Sequence, residues 1–277
     1  LDREARWRIR IEDDEQAVAL ARSRPLPRDL LERLARSSDY ELRAAVAGNP
    51  ALPPDLLEVL SVDGDDDVRQ AVVANPSTPA LLLERLARDE DDAVRAALLS
   101  RSALAPALVL QLLQDESWQV RRAAVADARV TQEALATMAT GERDSDVLEA
   151  LEQRGDLSAQ VLAALAQNDD RDAQRIAARH PDTPPPLLAA LADAYDDDLR
   201  AALAVNPSTP AAGLRALVEG RSEAVAESAR AHPTYVADAA RRHRRRLVIW
   251  GVVGLLALCT GLVGVVVALV GSALSFG

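Results

Sequence analysis

The sequence predicts an all-α protein: a solenoid of about nine short helix-pair repeats followed by one C-terminal transmembrane helix. Three observations point there. A nine-residue pattern recurs along the chain, its punctuation returns every 25 to 27 residues, and residues 247–271 hold no charged side chain. Composition agrees with stacked short helices, because 49% of the chain is hydrophobic while only 3% is aromatic. A core of Ala, Leu and Val suits helices that approach closely.

Residues 1–16 form a lead-in. Its opening positions carry charge throughout and lack the apolar run that a secretion signal requires, so no signal peptide is expected.

Residues 17–233 carry the repeats. The stretches Leu42 to Pro50, Val68 to Pro76 and Leu199 to Pro207 superimpose without gaps, and Ala173 to Pro181 and Val225 to Pro233 are weaker copies. The marker position runs Pro25, Pro50, Pro76, Ser102, Ala128, Gly155, Pro181, Pro207, Pro233. Each unit reads as two helices. The first follows an acidic cluster such as Asp65, Asp66 and Asp67, whose carboxylates suit the N-terminal end of a helix. It ends at Asn-Pro, because proline breaks the hydrogen-bond ladder and keeps its predecessor extended; Asn49, Asn75, His180, Asn206 and His232 occupy that place. The second helix is predicted to start at Thr-Pro, with Thr78, Thr183 and Thr209 as N-caps and Pro79, Pro184 and Pro210 at its first position.

An apolar pair three residues apart marks the second helix of each unit: Leu57/Leu60, Leu83/Leu86, Val109/Leu112, Leu135/Met138, Leu162/Leu165, Leu188/Leu191 and Leu214/Leu217. The first helix supplies Ala45, Ala71, Ala97, Ala123, Ala150 and Ala202 at one shared place, small enough for neighbours to pack closely. One unit cannot bury its own apolar face, so stability is expected from stacking. Between Val94 and Asp172 the Asn-Pro and Thr-Pro punctuation is lost, which predicts local irregularity there.

Residues 234–246 read as a basic juxtamembrane helix with no flexible linker before it, and 247–271 as a membrane span. Twenty-five residues make a helix of roughly 37 Å, enough to cross a hydrocarbon core of about 30 Å. Arg241, Arg242, Arg244, Arg245 and Arg246 precede it, as membrane-surface contacts, and no basic residue follows. The positive-inside rule then places the N-terminal part in the cytoplasm, giving a single-pass, tail-anchored protein of the cell membrane with an extracytoplasmic tail at 272–277. Within the span Gly254, Ala257, Gly261, Gly264, Ala268 and Gly271 recur at steps of three and four. Such a seam lets two backbones approach, and predicts a homo-oligomer through this face.

Val68-Arg-Gln-Ala-Val-Val-Ala-Asn-Pro-Ser-Thr-Pro-Ala-Leu-Leu-Leu-Glu-Arg-Leu-Ala-Arg-Asp89 resembles the repeat of the leucine-rich repeat variant family. The resemblance spans roughly residues 17–233. It implies a right-handed superhelix of alternating α and 3₁₀ helices, akin to HEAT-like arrays, that works as a binding surface. Some members carry a cysteine-ligated iron–sulfur domain before the repeats. This chain has one cysteine, Cys259, so no such cluster, and no cofactor of any kind, is expected.

Arg43, Arg69, Arg95, Arg121 and Arg200 recur at the second position of the unit, and Asp63, Asp89 and Asp115 stand six residues before three of them. They predict a structural ladder of Arg–Asp bonds between repeats, as in HEAT-like arrays. The functional alternative is a phosphate-binding Arg row. Charge opposes it: residues 1–240 hold all 43 acidic residues against 27 of the 32 basic ones, and that field repels nucleic acid. Every basic residue is Arg, which with the abundant Ala reads as GC-rich bacterial coding.

The Asp runs lack the spacing of calcium loops, and His180 and His232 sit at turn positions too far apart to share a metal. Trp7 and Trp118 read as packing residues, with an exposed Trp as the alternative binding hot spot. No nucleophile with its base, phosphate loop or metal cluster is visible, so the expected role is not catalytic. It is a membrane-anchored scaffold for an unidentified protein partner, or a regulator acting through oligomerisation of the membrane helix.

Overall fold

The computed structural model describes residues 18–19, 21–22, 25–194 and 196–249. Every regular element among them is helical, and none is a strand. The N-terminal unit runs to Ala173 and the C-terminal unit from Gln174.

In the N-terminal unit the first helices of successive repeats are α1 (Tyr40–Ala47), α2 (Asp66–Ala74), α3 (Asp92–Ala97), α4 (Trp118–Val125) and α5 (Ser145–Arg154), and each packs on the next. The second helices form the other layer, with Gln132–Ala139 against Ala159–Gln167. The C-terminal unit repeats the plan: α6 (Asp197–Val205) packs on α7 (Glu223–Ala231), and Pro185–Leu191 on Ala211–Val218. All-helical units stacked like on like define a repeat solenoid.

The core follows the leucine pairs. Leu57, Leu60, Val109, Leu112, Leu135, Leu162, Leu165, Leu188, Leu214 and Leu217 are at most 1% exposed. Met138 departs from the expectation: it is half-buried, and Ala139, one residue on, is the buried member. A helix of 3.6 residues per turn brings either the third or the fourth residue back to one face, and here the fourth wins. First-helix residues such as Val68, Val72 and Val73 complete the core. Ala71, Ala97, Ala123, Ala150 and Ala202 are half-buried.

Two expectations about helix ends are corrected. The threonines do not cap the second helices. Pro79, Pro184 and Pro210 are the N-cap residues, without a side-chain cap. The Thr78, Thr183 and Thr209 hydroxyls instead donate to the carbonyls of Val72, Ala177 and Leu203, at 2.6, 2.6 and 2.7 Å. The proline already supplies the extended backbone and lacks an N–H, so the buried hydroxyl is spent on a carbonyl in the last turn of the preceding helix. Nor are the second elements 3₁₀ helices. They are α-helices whose ends tighten: Leu82 bonds to the carbonyl three residues back, Ala87 to the one four back, and Arg88 again to the one three back. The 3₁₀ turn at Leu98–Ser100 continues α3.

The irregular middle repeats keep their connections. Asn75 Nδ2 donates to the carbonyls of Ala47 and Asn49 in the repeat before, and Asn206 does the same to Ala178 and His180. Where Asn is absent, arginine reaches the equivalent carbonyls: Arg101 those of Val73 and Asn75, Arg129 those of Leu99 and Arg101, Arg154 those of Val125 and Asp127. The guanidinium carries enough donors to serve both at once. Gly155, at φ 68°, provides a left-handed exit where proline is missing. The expected irregularity is thus a change of side chain within one hydrogen-bonding scheme.

Residues 233–249 are helical, so helix continues through the basic segment into the first three residues of the apolar stretch. Among the described residues no helix is long and apolar enough to cross a membrane. The remainder of 247–271, including the seam residues Gly254, Ala257, Gly261, Gly264, Ala268 and Gly271, lies outside the described residues, as does Cys259.

A candidate interaction groove between α4 and α5

The site is built on the Arg ladder. Arg43 holds Asp63 through Nε and Nη2 at 2.8 and 2.9 Å, and Arg69 holds Asp89 at the same distances. Arg95 holds Asp115 at 2.8 Å through both nitrogens, and Arg121 holds Glu142 at 2.7 and 3.0 Å. The carboxylate comes from 20 or 21 residues further on. The residue six positions earlier contributes its backbone carbonyl instead, as Asp63 does to Arg69 at 2.8 Å. Arg200, in the C-terminal unit, binds no carboxylate among the described residues; its Nη2 reaches the carbonyls of Ala216 and Leu217.

These bidentate bonds fix the carboxylates electrostatically. Burial pushes Asp63 and Asp115 up, but the Arg43 and Arg95 guanidiniums and the N–H groups of Asp65 and Ser117 outweigh it, and both sit below the usual carboxylate range. Burial likewise raises Glu142, and Arg121 with the Asp144 N–H brings it below its ordinary value. The Asp runs divide their labour. Asp63 and Asp89 serve the ladder, Asp65 and Asp91 cap α2 and α3, and Asp66, Asp67 and Asp92 occupy first turns. Among the described residues no group of three His, Cys, Asp or Glu side chains is placed to hold a metal ion. His232 accepts a turn N–H from Thr234 and pairs through Nε2 with the carbonyl of Asn206, as the asparagines do.

The Arg121–Glu142 rung sets α4 beside α5, and between them lies a groove of about 590 Å³. Ala123, Ala126 and Ala150 line it, with Trp118, Gln119, Arg122, Gln153 and Arg154. Small side chains at the shared alanine position leave the depression. Trp118, at the start of α4, is 36% exposed and lines the groove. Arg154 is occupied: it pairs with Asp156 at 2.8 Å and holds two backbone carbonyls. Arg122 is exposed and makes no ion pair among the described residues. The groove therefore offers an indole face, an apolar floor, two amides and one available cation. Of the lining residues, the sequence points to Trp118, Ala123 and Ala150 but not to Ala126 or Arg122, for which the double Arg at 121 and 122 was the available signal. Trp7 lies outside the described residues.

Of the other sequence-predicted residues, Arg241, Arg242, Arg244, Arg245 and Arg246 lie exposed on helix 233–249. Arg242 pairs with Asp238 at 3.0 Å and sits 5.9 Å from the Tyr235 ring centroid. Asp238 also binds Arg215 at 2.7 Å, which ties this helix to Ala211–Val218.

The two-layer stacking and the side-chain ladders define an α-helical repeat solenoid. Residues 15–73 match the Leucine Rich Repeat Variant domain and residues 66–91 match the Leucine rich repeat variant. Residues 15–91 are thus similar to the leucine-rich repeat variant family. A solved structure described as "a leucine-rich repeat variant with a novel repetitive protein structural motif" has the same fold, with a TM-score of 0.57. It is 23% identical, over 80% of this chain and 87% of the other. A search of curated proteins finds no match.

Proposed function

We propose that this protein is a cytoplasmic repeat scaffold, held at a membrane by residues 247–271, that binds a protein partner in the Trp118 groove and catalyses no reaction. The exposed indole beside Arg122 carries this reading. Tryptophan and arginine dominate the energetics of protein interfaces when they stand in a pocket that a partner can desolvate. A groove of this size accommodates one or two peptide side chains, and Arg122 favours an acidic one. The overall acidity argues against nucleic acid as the partner. The anchor rests on the uncharged run and on the five arginines before it.

The continuity of helix 233–249 favours a second reading, in which the repeats regulate or are regulated by association of the membrane helix. A helix that runs unbroken to residue 249 carries a rotation of the repeats to the start of the apolar stretch. A flexible linker would absorb it.

A photo-crosslinking residue in place of Gln153, on the exposed rim, tests the groove in the native host. One discrete adduct is expected, lost on Trp118→Ala or Arg122→Ala with helical content unchanged. An adduct indifferent to both substitutions, or no adduct at all, contradicts the proposal.

A further inference from the structure

Four rungs of the Arg ladder share one plan. Each carboxylate is held by two guanidinium nitrogens and also accepts the N–H two residues after itself: Asp63 from Asp65, Asp89 from Asp91, Asp115 from Ser117, Glu142 from Asp144. In the C-terminal unit Arg200 holds the ladder position, but position 220, twenty residues on, is glycine. Arg200 is 9% exposed, and its Nε has no hydrogen-bond partner among the described residues. Its Nη2 reaches the carbonyls of Ala216 and Leu217 only at 3.4 and 3.3 Å. The guanidinium lies over Gly220, where an added Cβ would collide with Nη2, Cζ and Nη1.

Ser222, two residues beyond, is the N-cap of α7 and provides no side-chain cap. It holds the N-cap place of its first helix, as Asp65, Asp91, Ser117 and Asp144 do in the other rungs. Gly220 and Ser222 are half-buried, so the corner opens to solvent, with Arg221 exposed between them. Glu223 is engaged by Arg230 at 2.7 Å, which reduces its repulsion of an incoming anion. A buried guanidinium without a carboxylate is costly, and a ligand that supplies one recovers that cost on binding.

We propose that Arg200, Gly220 and Ser222 form an acceptor site for an external carboxylate, which takes the place that Asp63, Asp89, Asp115 and Glu142 fill elsewhere. The guanidinium swings off Gly220, grips the carboxylate through Nε and Nη2, and the Ser222 N–H donates to the same group. The site is in the C-terminal unit and is independent of the Trp118 groove. A small free acid and an acidic peptide share this chemistry.

The full chain, labelled with ¹⁵N-arginine in detergent micelles, is titrated with sodium acetate or with N-acetyl-Asp-amide, chloride keeping the ionic strength constant. One Nε–H signal is expected to shift saturably, and the unfolding temperature to rise by about 2–4 °C at several times Kd. Both responses should vanish in Gly220→Asp, which provides the carboxylate internally, and in Arg200→Met, which replaces a buried charge by an apolar chain of similar length. Binding of N-acetyl-Asp-amide at least about tenfold tighter than acetate assigns the site to acidic peptides; comparable or tighter acetate binding assigns it to small acids. No saturable shift in the native chain, or the same shift in both variants, overturns the proposal.

Discussion

At the scale of residues, the repeats are joined by buried polar bonds whose loss should be costly one at a time. Arg69 and Asp89 have side chains 7% and 8% exposed, so Asp89→Ala leaves a buried guanidinium unpaired and should destabilise by about 3–5 kcal/mol in a urea titration. Adding Arg69→Met should recover only part of that, because the Asp63 carbonyl and the Asp91 N–H lose their partners too. The ladder also sets the acid response. Asp63, Asp115 and Glu142 are held below their ordinary ranges, so near those values the unfolded chain binds more protons than the folded one and stability rises with pH. Their contribution is complete above the ordinary carboxylate range, near pH 4, and is lost as the pH falls through the depressed values. The urea midpoint should hardly change between pH 7 and 5 and fall between pH 4 and 2.5; a midpoint unchanged at pH 2.5 contradicts this.

At the scale of elements, asparagine and arginine perform one job. Asn75 and Arg101 both satisfy two carbonyls where the preceding first helix ends, which explains how the middle repeats lose Asn-Pro without losing their stacking. Asn75→Ala should cost at least about 2 kcal/mol, since two buried acceptors lose their donor. Asn75→Arg should cost less than Asn75→Ala despite its bulk; a larger loss, read from the same titration, contradicts the equivalence. Helix pairs, leucine stripes and acidic caps were legible because period and capping chemistry are local. The threonine bond was not, because Thr-Pro looks the same whether the hydroxyl faces forward to a helix start or back to Val72. The ladder's pairing escaped for a related reason. Asp63, Asp89 and Asp115 are visible as its acids, but each gives its carboxylate to the Arg twenty residues before it, across a second helix, and only its backbone carbonyl to the Arg six residues after it. Arg129 and Arg154 gave no local sign that they replace asparagine.

At the scale of the whole molecule, the proposed functions fall on one groove of the N-terminal unit and on the apolar stretch 247–271. The groove could not be read from the sequence, because its alanines are repeat residues and only stacking turns them into a floor beside Trp118 and Arg122. The end was legible as an uncharged run behind five arginines. Proximity labelling in the native host tests the central claim most directly, comparing the full chain with one ending at residue 246, with Trp118→Ala, and with Gly261→Leu combined with Gly264→Leu. A membrane-held scaffold predicts that a shared set of labelled neighbours is lost on truncation, that one of them is lost with Trp118→Ala, and that the glycine variant keeps the full set. A glycine variant that loses the set favours the oligomeric regulator. Identical neighbours for the full and truncated chains contradict the account.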